Sequence, residues 1–208
     1  MEATTETDTT ARTYALPARQ TMQAIRALSH CVSTDTSRAL LTAIRVELSV
    51  TGIVLVATDS YRLGKVELRG CCVPGDVLLP LSLVKSLCKS FTRSTVAKWN
   101  DSETLSLSWS GETPETAVVT VSAAGVTLTD RPEIGTYPDY RQLMPETQFG
   151  RAQFNASYLA TVGKIADEVG AQFVVCDSID HSKPAQFTIT TADDDTVTYL
   201  LMPVRITQ

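Results

Sequence analysis

Three stretches of the chain repeat one pattern of apolar and polar positions. In each, a short apolar run meets a proline or asparagine, and an amphipathic segment follows with apolar residues at i, i+3 and i+4. The stretches are TYALPARQTMQAIRALSHCV (13–32), DVLLPLSLVKSLCKSFTR (76–93) and AQFNASYLATVGKIADEVG (152–170). The spacing predicts three one-sided helices starting at Pro17, Pro80 and Asn155, since proline suits a first helical turn and asparagine an N-cap. Their apolar faces are Met22, Ile25, Leu28 and Val32; then Leu81, Val84, Leu87, Cys88 and Phe91; then Leu159, Val162, Ile165, Ala166 and Val169.

β-rich sequence follows each helix. The first unit offers AIRVELSV, IVLVATD and RLGKVEL, the second STVAKW, TLSLSW, AVVTVSA and GVTLTD, and the third AQFVVCD, QFTITTA and TVTYLLMPV. Asn100-Asp101-Ser102, Gly111 to Pro114 and Asp193-Asp194-Asp195 mark turns between them. The chain thus reads as three β-α-β-β-β units, an α+β fold with helices on one face of antiparallel sheets. The implied division is a tail over 1–12, a domain of two units over 13–146 (13–70 and 73–146) and a single unit over 147–208.

Composition narrows the class. The 208 residues are 43% hydrophobic and 20% charged, which suits a globular chain with a real core. No apolar run reaches a membrane span and no secretory leader is visible, so a cytoplasmic protein is expected. The first twelve residues are acidic and Thr-rich, and read as an unstructured tail. Five cysteines (31, 71, 72, 88, 176) show no metal spacing and read as reduced thiols. The Asp193–Asp195 run reads as a solvated turn rather than a metal site, and neither a metal nor another cofactor is called for.

The net charge of −5 argues against nucleic acid until its distribution is considered. Residues 17–32 carry +2, residues 80–93 carry +3 and residues 155–169 carry −1, leaving −9 elsewhere. The first helix presents Arg19, Gln23, Arg26 and His30 along one stripe, the second Lys85, Lys89 and Arg93. The third is weaker, with Lys164 beside Asp167 and Glu168. Acid-free basic stripes on an otherwise acidic protein suit either ordinary solvated helix faces or a surface that meets phosphates without reading bases. No catalytic constellation competes: the two histidines, His30 and His181, sit in no nucleophile or metal motif, and TDSYR lacks a base, so no enzyme is expected.

The motifs ATDSYRL (57–63), YPDYRQLMP (137–145) and YLLMPVR (199–205), taken in this order, resemble the bacterial DNA polymerase III beta sliding clamp family. LLPLSLVKSL and FNASYLATV resemble its helix starts, and the segment from Ser37-Arg38 to Leu41 that before its hairpin. The likeness runs from about residue 12 to 206. It implies the DNA clamp fold, a ring with sheets outside and helices lining the hole, which encircles duplex DNA and tethers a polymerase without doing chemistry. It implies a pocket for linear peptides of polymerases and clamp loaders, walled by Thr58, Ser60, Tyr61, Arg62 and Leu63 with Leu41 behind. The other wall is Pro145, Leu200, Met202, Pro203, Val204 and Arg205. The implied DNA-facing residues are Arg19, Gln23, Arg26, Lys85, Lys89, Arg93 and Lys164.

Departures from the family pattern are specific. Ser60 and Tyr61 stand where the family commonly has Gly and His, and 110–135 is longer than usual. The family chain has six units and its ring twelve, so three units per chain point to a homotetramer. With an odd count, identical chains meet head-to-head and tail-to-tail, which gives dihedral symmetry. Half-length points to a phage or mobile element. A rival reading is a clamp-like interaction protein that occupies clamp partners, or pairs with a host clamp, without encircling DNA.

Overall fold

The computed structural model describes residues 12–70, 73–111, 113, 115–143, 152–178, 182–191 and 193–204. Helices α1 (Ala18–Leu28), α2 (Leu81–Ser90) and α4 (Ala156–Glu168) begin where the sequence places them. Pro17 and Pro80 are themselves the N-caps, held extended at φ −63° and −67°, one position ahead of the first turn. Asn155 caps with its side chain, Oδ1 accepting from Ser157 N at 2.9 Å.

One expected strand is a helix. Residues 94–99 fall in and after the short α3 (Arg93–Val96), because Thr92 Oγ1 accepts from Thr95 N at 3.3 Å and starts a turn. That turn buries Val96 and sets Trp99 edge-on to Phe91, with centroids 5.1 Å apart.

The first two units exchange their leading strands. The first unit holds β1 (Arg12–Pro17), β2 (Ala43–Ser49), β3 (Gly52–Thr58) and β4 (Arg62–Leu68). The second holds β5 (Gly75–Pro80), β6 (Thr104–Ser110), β7 (Val118–Ala123) and β8 (Val126–Asp130). β1 leaves its own unit to pair with β6, while β5 pairs with β2. The registers match: Pro17 lies opposite Thr104 and Pro80 opposite Ala43, so each leading strand ends against the first residue of its host. The two units are therefore related by an approximate internal two-fold.

The third unit holds β9 (Val174–Ser178), β10 (Ala185–Thr190) and β11 (Thr196–Leu201). The strand expected ahead of α4 is not formed: residues 152–155 join no sheet. β11 pairs antiparallel with β4 and fuses the two units into a seven-stranded sheet of order β5-β2-β3-β4-β11-β10-β9, beside a four-stranded sheet β1-β6-β7-β8.

Strand alternation sorts the side chains into two cores. Ile44, Val46, Ile53, Leu55, Ala57, Val66, Val197, Tyr199 and Leu201 face the helices and form the main core with Met22, Ile25, Leu28, Val84, Leu87, Val162 and Ile165. Each large aliphatic so buried contributes about 1.5–3 kcal/mol. On the outer face, Ala43, Val56, Leu63, Leu78, Tyr137, Tyr140 and Leu200 make a smaller cluster. α1 lies so close to β4 that a Cβ on Gly64 would stand 2.6 Å from Leu28 Cδ2 and 3.0 Å from Cys31 Sγ. Leu159 departs from its assigned apolar face and is 42% exposed. Among the described residues, no helix is long and apolar enough to cross a membrane.

Candidate functional site

The β3–β4 hairpin turns on Asp59. Its Oδ1 accepts from the backbone N of Tyr61 and of Arg62, both at 3.0 Å, and Oδ2 accepts from Arg62 Nε at 2.9 Å. Thr58 Oγ1 donates to Arg62 O at 2.8 Å and accepts from Ser60 N at 3.2 Å. The acid, the Thr58 hydroxyl and the arginine of TDSYR thus hold the turn. Ser60 sits at φ +77°, a left-handed conformation that costs a side-chain-bearing residue about 1 kcal/mol or more. Arg38 Nη1 donates to Ser60 Oγ at 2.9 Å and holds it there.

Alternation then separates neighbours on the hairpin. Leu63 points to the outer face, opposite Leu200 in the β4·β11 register, and both join the outer cluster with Tyr137 and Tyr140. Arg62 points to the helix face. Its Nη1 donates to Thr161 Oγ1 at 2.9 Å and its guanidinium lies 5.1 Å from the centre of the Tyr158 ring, which fastens α4 to the hairpin. Tyr61 is 55% exposed and stacks on Tyr158 at 6.1 Å. Met202 N donates to Tyr61 O at 3.2 Å, and Val204 N to Gln153 O at 2.7 Å. Met202 and Val204 are exposed at 40% and 49%, and Pro203 is half-buried.

Of the expected pocket residues, Leu63 and Leu200 are buried in the outer cluster, Thr58 is buried opposite Leu63 across β3·β4, and Tyr61, Met202 and Val204 are exposed. Leu41 is buried in the 3-10 segment Thr36–Thr42, and its neighbour Leu40 is what packs on the outer cluster. Pro145 and Arg205 lie outside the described residues, as do Cys71, Cys72 and His181. Tyr137 and Tyr140 were not among the expected site residues, although the quoted YPDYRQLMP contains both. Burial pushes the Tyr140 phenol up to about 12, and its hydroxyl donates to Glu47 Oε2 at 3.1 Å. Glu47 also pairs with Arg141 at 2.6 Å and Arg45 at 2.9 Å. A cavity of about 450 Å³ opens alongside, lined by Arg45, Asp76, Trp109, Tyr137 and residues 132–136.

The basic residues divide into two groups. Lys85 and Lys89 on α2 and Lys164 on α4 are exposed. The arginines are engaged. Arg19 pairs with Asp101 at 2.7 Å and Asp193 at 3.0 Å. Arg26 pairs with Glu168 at 3.1 Å and donates to the carbonyls of Cys88 (2.9 Å) and Phe91 (3.1 Å), stitching α1 to α2 and α4. Gln23 lines a cleft with Arg26, Arg93 and Glu168. Arg93 pairs with Asp167 at 2.7 Å, its side chain still 51% exposed. Sequence order hides these pairs, because every acid comes from a distant segment.

No protein-family model matches the chain. Solved structures do. A DNA polymerase sliding clamp from Pseudomonas aeruginosa, crystallised with a ligand, is 16% identical with a TM-score of 0.72 over 93% of this chain and 66% of that one. The DNA polymerase III beta subunit from Thermotoga maritima gives 15% identity and a TM-score of 0.69 over 94% of this chain and 66% of that one. A putative DNA polymerase III beta subunit from Eubacterium rectale gives 11% and 0.72 over 94% and 66%. The chain spans just under two thirds of the length of these proteins. With the exchanged strands, the one-sided helices and the β4·β11 joint already described, these matches establish that the chain has the fold of the DNA polymerase III beta sliding clamps.

Proposed function

We propose that the protein is a sliding clamp: copies of the chain close into a ring around duplex DNA and tether a DNA polymerase to it, without catalysis. The observation that carries this reading is the placement of α1, α2 and α4 on one side of the sheets, with Lys85, Lys89 and Lys164 exposed on that side's helices. Long cationic side chains on an inner surface centre a polyanion without reading its bases. Twelve units, as in the family ring, require four chains, in two domain-like portions each (13–146 and 147–208). A topological tether needs few phosphate contacts, and strong ones would hinder sliding.

The same reading assigns the outer cluster to partner peptides of polymerases and clamp loaders. Leu63 and Leu200 give an apolar floor, and Met202 and Val204 a deformable rim. A few buried apolar anchors carry most of the energy of such small interfaces. Arg62 is spent on Asp59, Thr161 and Tyr158, so edge hydrogen bonds to a peptide fall to backbone groups and Tyr61.

The protein should stay on nicked circular duplex DNA through gel filtration and slide off after linearisation. Equal loss from both forms would refute encirclement. The second reading, a clamp-like protein that occupies clamp partners or pairs with a host clamp, draws support from Arg19, Arg26 and Arg93, whose charges are already compensated. It predicts peptide binding with no retention on circles. A bacterial or phage-infected cytoplasm is the setting of either reading.

A further inference from the structure

The first two units complete each other. β1 covers the edge of β6, β5 covers the edge of β2, and the helix-facing residues of the covered strands are sealed: Ile44 is 0% exposed, and Val46, Leu105 and Leu107 are 1% each. At the joint Ala18 N donates to Glu103 O at 3.1 Å, and Ala18, Met22 and Ile25 are at most 1% exposed.

The third unit carries the same parts with no mate among the described residues. Residues 152–155 lead into α4 yet join no sheet. β9 is the terminal strand of the seven-stranded sheet. Its helix-facing Val174 is 38% exposed, and Phe173 and Val175 beside it are 79% and 55% exposed. Counted from the helix starts, Ala156, Ala160 and Gly163 occupy the positions of Ala18, Met22 and Ile25, and all three are exposed together with Leu159. They share one helix face. An uncovered apolar edge strand of this kind is an association site unless something closes it. The stretch from Arg131 to Asn155 is too short to hold a fourth unit, since the first unit alone runs from Arg12 to Leu68.

We propose that the third unit pairs with the third unit of a second copy about a two-fold axis, each lending residues 152–155 to the free edge of the other's β9. The occupant is a second copy because the exchange needs a unit with a leading segment outside any sheet and a free edge strand, and this unit offers both, its leading segment held by the Val204 N to Gln153 O bond and by Phe154 packed on Phe187. The joint repeats the internal joint between the first two units and extends the seven-stranded sheet across the axis, so it is isologous and continuous with an interface already built. The surfaces that would meet are apolar over Phe173–Val175 and along the Ala156–Gly163 stripe; the one acid within β9, Asp177, accepts from Thr188 Oγ1 of its own sheet. A standard stable interface buries about 800 Å² per copy, and this joint draws on two added strands and one helix face. The proposal rests on the ring reading and assigns one of its two kinds of chain-to-chain joint.

The test combines sedimentation velocity, hydrogen–deuterium exchange over a dilution series, and retention on circular DNA, for the full chain and for Val175→Asp and Phe173→Asp. The expected result is a wild-type tetramer that each variant reduces to a dimer with an unchanged circular dichroism spectrum. In the wild type alone, amides of 152–155 and 174–178 should slow at least tenfold at high concentration. This dilution series needs no substitution, so a variant that fails to fold leaves the test intact. Variants that keep the wild-type mass, with β9 exchange independent of concentration, would overturn this joint, and persisting retention on circles would leave the ring reading standing. Wild-type protein that associates through β9 but is not retained on circles would support the joint and refute the ring. A monomer with β9 protected at every dilution would overturn the joint in favour of another segment of the chain.

Discussion

Leu63 and Leu200 stand opposite each other across the β4·β11 joint, each 2% exposed, on the sheet face away from the helices. The pair belongs to the weld between the first and third units and to the outer cluster proposed above as a peptide floor. Leu200→Ala should lower stability by about 2–4 kcal/mol in urea denaturation, as large-to-small changes at sealed sites do. Leu63→Ala should cost the same alone and add less than its full value in the double variant, because the two side chains share one contact. Fully additive costs would place them in separate environments.

Arg62 ties the hairpin to α4. Arg62→Ala leaves Asp59, whose side chain is 14% exposed, without its cation. The expected cost is about 1–3 kcal/mol, with faster amide exchange in α4. Arg62→Lys should recover little, since an ammonium cannot bond Asp59 and Thr161 together while lying over Tyr158. Thermal melting together with exchange rates in α4 checks both.

Lys85 and Lys89 are exposed and make no hydrogen bond or ion pair among the described residues. Lys85→Glu with Lys89→Glu should leave stability within about 0.5 kcal/mol and abolish retention on circular DNA. Arg26→Glu should behave oppositely, lowering the melting temperature because it breaks the contacts to Glu168, Cys88 and Phe91. Undiminished retention in the lysine double variant would remove the electrostatic basis of the clamp reading.

His30 supplies a pH dependence. Burial is the main cause holding its pKa below the ordinary value near 6.5; Lys164, Arg62 and Arg26 push the same way, and Glu168 opposes them. From about pH 6.5 down to the lowered value, the unfolded chain binds more protons than the folded one. Stability therefore falls as pH drops through that window and is flat above it for this group. The melting temperature should be lower at pH 5.5 than at pH 7.5, and His30→Gln should shrink the difference. An unchanged difference would show that other groups set it.

How much was legible in the sequence follows from how local each feature is. The helix starts at Pro17, Pro80 and Asn155 were readable because caps act within one turn. The hairpin motif and the C-terminal motif pointed to each other only through the family resemblance, and the register that sets Leu63 against Leu200 lies beyond any local pattern. Residues 94–99 read as a strand because β-branched Thr95 and Val96 outweighed the Thr92 cap. Leu159 fits the apolar period of its helix, yet periodicity cannot show whether a facing unit is present. The ion pairs of the arginine stripe were hidden in a related way: Asp101, Asp193, Glu168 and Asp167 reach Arg19, Arg26 and Arg93 only after the chain has folded. Arg62 and Leu63 were expected in one pocket wall, yet as adjacent strand residues they point to opposite faces, Arg62 to α4 and Leu63 to the outer cluster.

The β4·β11 weld also bears on the birth of the molecule. During synthesis, Arg62–Leu68 leaves the ribosome long before Thr196–Leu201, so the edge of β4 waits with open amides and carbonyls while most of the remaining chain is made. Closing that seam is a long-range step, slow because the loop entropy must be lost before any contact is gained. Nascent chains stalled before Thr196 should accordingly be the aggregation-prone species, and a chaperone acting on this protein would find its work at β4.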